Sequence, residues 1–172
     1  MRSGDVFALM FCAAALAGCA EGVKPTETPT FYNSMAQPGA TLDAAVAASM
    51  ISGYRANNGL PAVTLDPQLM QLADAQARAM AARNRVDHIA AGAFTLRLKQ
   101  GGYQAKTAAE NVSAGYHTLA EAFSGWRDSP PHRANMLLKG ATKMGIAAVY
   151  APGSKYKVFW ALVLAAPDDR RG

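Results

Sequence analysis

Three histidines and two glutamates are the side chains of this sequence best suited to acid–base or metal chemistry. His88, His117 and His132 are its only histidines, and Glu110 and Glu121 are its only glutamates beyond residue 40. Imidazole titrates near neutral pH and binds divalent metals, while a carboxylate accepts protons or coordinates cations. A site that combines these groups could bind a metal, activate water or hold a polar ligand.

His132 has the most restricted position of the three histidines. It follows Ser129, Pro130 and Pro131, and the two prolines fix their own φ angles at the start of a predicted short helix. The dipole of that helix disfavours imidazolium and so favours the neutral ring that binds metals. The role of His132 could equally be limited to capping its own helix, so both interpretations stay open.

The other titratable side chains have less specific positions. His88 lies in a polar loop beside Asp87, where position alone favours a surface residue over a ligand or a general base. Glu110 lies among small apolar residues, so its carboxylate must be solvated, paired or bound to a metal. Glu121 fits the N3 position of a capping box, with His117 exposed or assisting at the same helix start. His88, His132 and Glu110 would make an open, weakly binding metal site if they converge.

Nucleophilic catalysis has little support in the sequence. Ser129 lies three residues before His132, but a serine at a helix N-cap normally accepts a hydrogen bond from the N2 or N3 amide. The two cysteines, Cys12 and Cys19, both lie in the N-terminal leader. The Gly-x-Ser-x-Gly motif of α/β-hydrolases does not occur.

The N-terminus has the pattern of a bacterial lipoprotein signal. Residues 6–16 form an apolar run too short to span a bilayer, which takes about 20 helical residues. The run ends in LAGC at residues 16–19, a pattern typical of a lipobox, although an ordinary signal peptide is the alternative. We expect a signal peptide over residues 1–18 and attachment to a membrane through a lipid on Cys19. Because Ala20 follows where inner-membrane lipoproteins often have aspartate, we expect a periplasmic domain on the outer membrane.

The rest of the chain is predicted to be a tether, one domain and a short tail. Residues 19–40 contain three prolines and several threonines, a composition that predicts a disordered tether. Residues 41–167 have an ordinary single-domain length, and residues 168–172 form the tail. The net charge is +5 with scattered basic residues. We therefore expect weak attraction to anionic envelope polymers and no nucleic-acid binding.

Apolar spacing and capping residues predict five helices, a short strand around Glu110 and two C-terminal strands. An apolar stripe at positions 42, 46, 50 and 54 indicates the first helix, and Asp66 with Pro67 begins the second. Shorter helices are predicted over residues 94–99, 118–127 and 130–138. Residues 144–151 and 156–164 flank a Pro-Gly-Ser turn and predict a C-terminal β-hairpin. Helices that precede strands favour an α+β fold.

Several motifs together resemble those of the CAP (SCP-like) superfamily. They are NGLP at residues 58–61, His88, ENV at residues 110–112, Trp126 and SPPHRANML at residues 129–137. This superfamily comprises cysteine-rich secretory proteins, antigen 5 and plant pathogenesis-related proteins. The resemblance runs from about residue 46 to residue 164 and is strongest to the bacterial extracytoplasmic branch.

The resemblance implies an α-β-α sandwich with a small central antiparallel sheet and an open cleft. Eukaryotic members place two histidines and two glutamates in that cleft, where divalent metals can bind. By motif, His88, Glu110 and His132 take three of these places. Asp128 is the acid nearest the place of the second glutamate, so the tetrad is incomplete. The remaining positions that we assign to the cleft are Asn111 and Ser129.

Two functions follow as expectations. The first is a binding module whose cleft holds a lipid, a glycan or an envelope protein. The second is a metal-dependent hydrolase of an envelope polymer, with Glu110 as general base or third ligand. The incomplete tetrad would hold zinc or another divalent metal only weakly, so binding is preferred. Whether the protein is an enzyme stays open, since a fold family by itself implies no reaction.

Overall fold

The computed structural model describes residues 28–168, which form five α-helices, a short 3-10 helix and a four-stranded sheet. The helices are η1 (Thr30–Tyr32), α1 (Ala44–Ala56), α2 (Pro67–Arg83), α3 (Phe94–Gln100), α4 (Leu119–Asp128) and α5 (Pro130–Met136). The strands are β1 (Thr64–Leu65), β2 (Ala105–Ala114), β3 (Lys143–Tyr150) and β4 (Val158–Pro167). Within these residues, no helix combines the length and apolar character needed to cross a membrane. The predicted signal peptide, Cys12, Cys19 and residues 169–172 of the predicted tail lie outside the described residues.

The sheet has the strand order β1-β3-β4-β2 and is mixed. β4 pairs in antiparallel fashion with β2 and with β3, which confirms the predicted C-terminal hairpin. β1 adds a short parallel edge to this central antiparallel sheet, because its two residues pair in parallel with the start of β3. The chain runs beside β3 only briefly there, since Pro67 begins α2 immediately after Asp66.

Both faces of the sheet are buried under helices, as the predicted α-β-α sandwich requires. Alternate residues of β4 face opposite layers, so this strand is apolar throughout instead of alternating between apolar and polar residues. On one face the sheet packs against α1, α4 and α5, through Ala47, Ile51, Leu119, Ala122, Trp126, Met136, Trp160 and Leu162. On the other it packs against α2 and α3, through Leu69, Ala73, Ala77, Met80, Leu98, Phe159, Ala161 and Val163.

Helix capping residues confirm two of the predicted helix starts. The Asp66 carboxylate accepts hydrogen bonds from the backbone amides of Gln68 and Leu69 at the start of α2. At α4, Thr118 and Glu121 form the reciprocal bonds of a capping box. Such caps satisfy amides that lack partners in the first turn of a helix, which is why short sequence motifs locate these starts.

The buried side of α1 differs from the predicted stripe. The fully buried positions are Ala47, Ile51 and Arg55, whereas Val46 and its successors along the predicted stripe are only partly buried. The spacing of large apolar residues therefore predicted the helix correctly. It placed the buried face about one residue before the positions that are buried in the structure. The reason is that the positions closest to the core are occupied by Ala47, which is small, and by Arg55, whose guanidinium has hydrogen-bond partners inside the domain.

Residues 28–40 correct the expectation of a disordered tether that reaches residue 40. Met35 is only 5% exposed and belongs to the core beneath α1 and α4, with Phe31 packed beside it. The Met35 amide donates to the carbonyl of His117, and the Thr30 hydroxyl donates to Asp43. Two apolar side chains thus anchor a stretch whose overall composition is polar.

Candidate functional site

The centre of the site is a buried carboxylate held by a cation and a histidine. The Glu110 side chain is 2% exposed and lies on β2. Its Oε2 lies 2.5 Å from Nη2 of Arg97, and its Oε1 lies 3.0 Å from Nδ1 of His88. Nη1 of Arg97 is buried and has no hydrogen-bond partner within residues 28–168. The charge of this guanidinium is therefore satisfied mainly by Glu110.

The loop that carries His88 is held by two buried side chains. Gln76 of α2 donates to the carbonyl of Asp87 and accepts from the amide of Ala91. Arg97 of α3 donates to the carbonyl of Gly92 at 2.9 Å. These bonds fix the loop on both sides of His88, whose side chain remains 57% exposed. The loop histidine is thus positioned by the fold and open to solvent.

His132 is brought to the same region by a pair of asparagines. Nδ2 of Asn111 donates to the His132 carbonyl at 3.0 Å, and Nδ2 of Asn135 donates to the Glu110 carbonyl at 3.1 Å. These bonds tie α5 to β2 directly beside the carboxylate. His88 and His132 lie close enough for their charges to interact. Burial, and secondarily repulsion from His88, lowers the pKa of the half-buried His132 below its usual value.

The end of α5 is fixed by a fully buried arginine. Nη1 of Arg55 donates to the carbonyls of Met136 and Leu138, and Nη2 donates to that of Ala141. Carbonyls at a helix C-terminus carry partial negative charge, so a guanidinium is a favourable partner there. Burial lowers the pKa of Arg55 from its ordinary value. Arg55 therefore holds α5, and with it His132, against the body of the domain.

Two residues assigned to the cleft by motif have different surroundings from those expected. Both oxygens of Asp128 accept hydrogen bonds from Arg127, which lowers the pKa of this exposed carboxyl. Ser129 is the N-cap of α5 but makes no side-chain capping bond, contrary to our expectation. Pro131 at N2 has no amide hydrogen to donate, and Ser129 makes no capping bond to the N3 amide of His132 either. Within residues 28–168, no hydrogen bond joins either side chain to His88, Glu110 or His132.

The donor set does not fit a conventional metal centre. The Glu110 carboxylate is already neutralised by Arg97, and Nδ1 of His88 is directed at the same carboxylate. Within the described part of the chain, no group of three or more His, Cys, Asp or Glu side chains could hold a metal ion. Protein zinc sites generally supply three or four ligands. His88 and Glu110 therefore form a polar pair with Arg97 as its cation, and His132 lies near enough to His88 for their charges to interact.

Sequence reasoning missed Arg97, Gln76, Arg55 and Asn135. The sequence contains a signal for two of them, Arg97 and Gln76. Arg97 lies between Phe94 and Leu98 on the inner face of α3. Gln76 likewise falls on the apolar stripe of α2. A polar residue at a core position of a helix indicates a buried partner. Glu110, which had no predicted partner, could have been matched to Arg97 in this way.

A separate hollow lies away from the histidines. It has a volume of about 550 Å³ and is lined by the C-terminal half of α3 and the start of β2, including Leu98, Lys99 and Gln104. None of His88, Glu110 and His132 lines it. The cluster of titratable residues is therefore separate from this cavity.

Solved structures with the same fold come from bacterial surface and extracellular proteins. An extracellular protein containing an SCP domain from Bacillus anthracis str. Ames matches with a TM-score of 0.61 at 24% identity, over 70% of this chain and 39% of that one. An outer surface protein from Borrelia burgdorferi matches with a TM-score of 0.65 at 16% identity, over 73% of this chain and 93% of that one. At these identities the likeness shows a shared fold.

Sequence comparison identifies the family. The uncharacterized protein YkwD of Bacillus subtilis (strain 168) is 30% identical over 102 residues. The match covers 58% of this chain, which spans only 40% of the length of that relative. Residues 48–164 match the cysteine-rich secretory protein family, CAP, which agrees with the motifs, the sandwich fold and the neighbouring structures. The chain belongs to the cysteine-rich secretory protein (CAP) family.

Proposed function

We propose that the domain is a ligand-binding module of the bacterial cell envelope, with a cleft lined by His88, Glu110 and His132. The observation that carries this proposal is the engagement of Glu110 by Arg97 and His88. A carboxylate that is 2% exposed and ion-paired is poorly placed to activate water. The exposed ring of His88 and the half-buried ring of His132 remain available to bind a ligand.

Among lipids, glycans and envelope proteins, the surroundings of His88 favour a lipid. Val86 and Ile89 flank His88 in the same loop and are 39% and 60% exposed. Leu96 of the adjoining α3 is also exposed. An imidazole between exposed apolar side chains suits a molecule with a polar head and an apolar chain. The glycan and protein alternatives become outcomes of the test below.

The proposed location is the periplasmic side of the outer membrane, with attachment through a lipid on Cys19. The LAGC sequence at residues 16–19 supports lipid attachment. The descriptions of two structural neighbours, one extracellular and one on the outer surface, support a place outside the cytoplasm. Zinc or another divalent metal is not required for ligand binding in this proposal.

Binding is tested by incubating the purified protein with phospholipid vesicles and, separately, with cell-wall fragments. We expect the protein to sediment with vesicles and to release nothing from the wall fragments. Ile89→Ser should weaken sedimentation, whereas Tyr32→Ser, at an equally exposed apolar position, should not. Retention on wall fragments without release would indicate a glycan instead. Binding to neither vesicles nor wall fragments would indicate an envelope protein as the ligand.

Hydrolysis of an envelope polymer is the second candidate, and one observation favours it. Nδ1 of His88 contacts a buried carboxylate, which orients the ring and leaves Nε2 directed away from Glu110, as in the acid–histidine pairs of hydrolases. Release of fragments from cell-wall material, lost in both His88→Ala and His132→Ala but retained in His117→Ala, would replace the binding proposal with this one.

A further inference from the structure

We propose that Arg97 is the built-in cation of the cleft and occupies the role that a divalent metal would otherwise fill, so that Glu110 recruits no metal. The inference concerns the charge balance of the site and holds whichever ligand the cleft binds. It starts from the burial of both partners, since the side chain of Arg97 is 5% exposed and that of Glu110 is 2% exposed.

The burial of Glu110 has an energetic cost that Arg97 offsets. A carboxylate removed from water costs several kcal/mol unless a cation or several hydrogen bonds compensate it. Arg97 supplies that compensation at 2.5 Å, so the carboxylate has no unmet charge with which to attract a metal. A metal ion that bound Glu110 would have to displace the guanidinium and leave it charged inside the domain.

Arg97 is also fixed in place by other contacts. Its Nε donates to the carbonyl of Gly92 at 2.9 Å, and its Nη2 lies 3.5 Å from the carbonyl of His88. Its guanidinium carbon lies 5.3 Å from the centre of the Phe94 ring, a cation–π distance. The guanidinium therefore belongs to the structure of the His88 loop and could not swing away like a surface lysine.

The first histidine, His88, is directed at the same carboxylate. Nδ1 of His88 faces Oε1 of Glu110 at 3.0 Å, so the carboxylate accepts from both a ring nitrogen and a guanidinium. Removing the guanidinium would leave a buried carboxylate beside a histidine nitrogen, the two ligand types that zinc accepts. The site should then acquire the metal affinity that Arg97 suppresses.

The test compares zinc binding in three forms of the full chain. Arg97→Met removes the cation with little loss of apolar volume, and the double variant Arg97→Met/Glu110→Gln removes both charges together. We expect zinc to bind Arg97→Met at least about tenfold more tightly than it binds wild type, by isothermal titration. The double variant should return to the wild-type affinity. Arg78→Met, at an exposed arginine, serves as the matched control and should not change it.

Thermal unfolding with and without zinc gives an independent readout. Zinc should raise the unfolding temperature of Arg97→Met selectively, because a ligand that binds only the native state stabilises it. Zinc binding by wild type that is clearly tighter than by the double variant would overturn the proposal, since Glu110 would then be a ligand. If Arg97→Met does not fold even with zinc, the comparison of wild type with the double variant decides. Equal zinc affinities of these two proteins are then the expected result. An Arg97→Met protein that folds but binds zinc no better than the double variant would also overturn it.

Discussion

Nδ2 of Asn135 donates to Oδ1 of Asn111 at 2.9 Å, and this bond between two side-chain amides joins α5 to β2. Asn135 also donates to the carbonyl of Glu110, while Asn111 donates to the carbonyl of His132. The backbones of α5 and β2 are therefore held together by one amide pair. The relative position of the carboxylate and the second histidine therefore depends on that pair.

Asn111→Ala should destabilise the domain by about 1–3 kcal/mol, because Asn111 is buried and its loss leaves polar groups unsatisfied. The measurement is urea unfolding of variant and wild type. Asn57→Ala, at an exposed position after α1, is the matched control and should change the free energy of unfolding by less than about 0.5 kcal/mol. Equal effects of the two substitutions would contradict a special role for the amide pair.

Arg55→Met should be among the most damaging single substitutions. It removes four hydrogen bonds from a fully buried guanidinium to backbone carbonyls, at Pro61, Met136, Leu138 and Ala141. Because those carbonyls would lose buried partners, we expect a loss on the order of 3–5 kcal/mol in the free energy of unfolding.

The control for Arg55 is Arg78→Met, which removes an exposed, solvent-screened ion pair to Asp74 and should leave the free energy of unfolding almost unchanged. Chemical denaturation measures both variants. If Arg55→Met were no more destabilising than Arg78→Met, the buried hydrogen bonds would not hold α5 as described.

Gly145→Ala should disrupt the packing of α2 on β3. A Cβ atom at residue 145 would lie 2.1 Å from the carbonyl carbon of Leu69 and 2.4 Å from the amide nitrogen of Met70. Backbone cannot yield as a side chain can, so we expect a loss of about 3 kcal/mol or more. Gly153→Ala, where a Cβ atom would meet nothing within 4 Å, should leave the unfolding midpoint almost unchanged.

The titration midpoint of His132 should lie below 6.5, which is the usual pKa of a histidine side chain. Burial is the larger cause of the lowered pKa and repulsion from His88 the smaller one. His88→Ala should therefore raise the titration midpoint of His132 only part of the way back, whereas His117→Ala should not move it. Proton NMR of the ring resonances measures each midpoint. A wild-type midpoint above 6.5 would contradict the structure.

The same lowered pKa predicts a pH dependence of stability. The native ring binds a proton less readily than the ring in the unfolded chain, so unfolding takes up protons when the pH is below about 6.5. The contribution of His132 to stability is therefore present above that pH and is lost as the pH falls through the native pKa. His132→Asn should show a smaller loss of stability than wild type on acidification from pH 7 to pH 5, in parallel urea titrations.

Local signals account for the parts of the fold that the sequence predicted correctly. The starts of α2 and α4 depend on capping residues within four positions, and the hairpin depends on two strands rich in β-branched and aromatic residues. The ten residues of β2 have no such signal. This strand is mostly alanine and polar residues, and only a short piece of it around Glu110 was predicted. Pairing along β4 overrides its weak local propensity.

The parts of the site that were missed depend on contacts between distant positions. The carbonyl of Ala141 that Arg55 contacts lies 86 residues further along the chain. Motif resemblance placed His88, Glu110 and His132 in one region but could not show which group neutralises the carboxylate. That answer needed the position of α3, because Arg97 reaches Glu110 across the turn that precedes β2.

The central place of β4 has a consequence for biosynthesis. Within residues 28–168, β2 and β3 do not pair with each other; β2 pairs only with β4, and β3 lies between β4 and the two-residue β1. Until the ribosome has translated past residue 167, neither neighbour can complete its ladder, and pairings of this long range form slowly. Nascent chains arrested before that point should be digested readily by protease, and chains arrested well beyond it should resist.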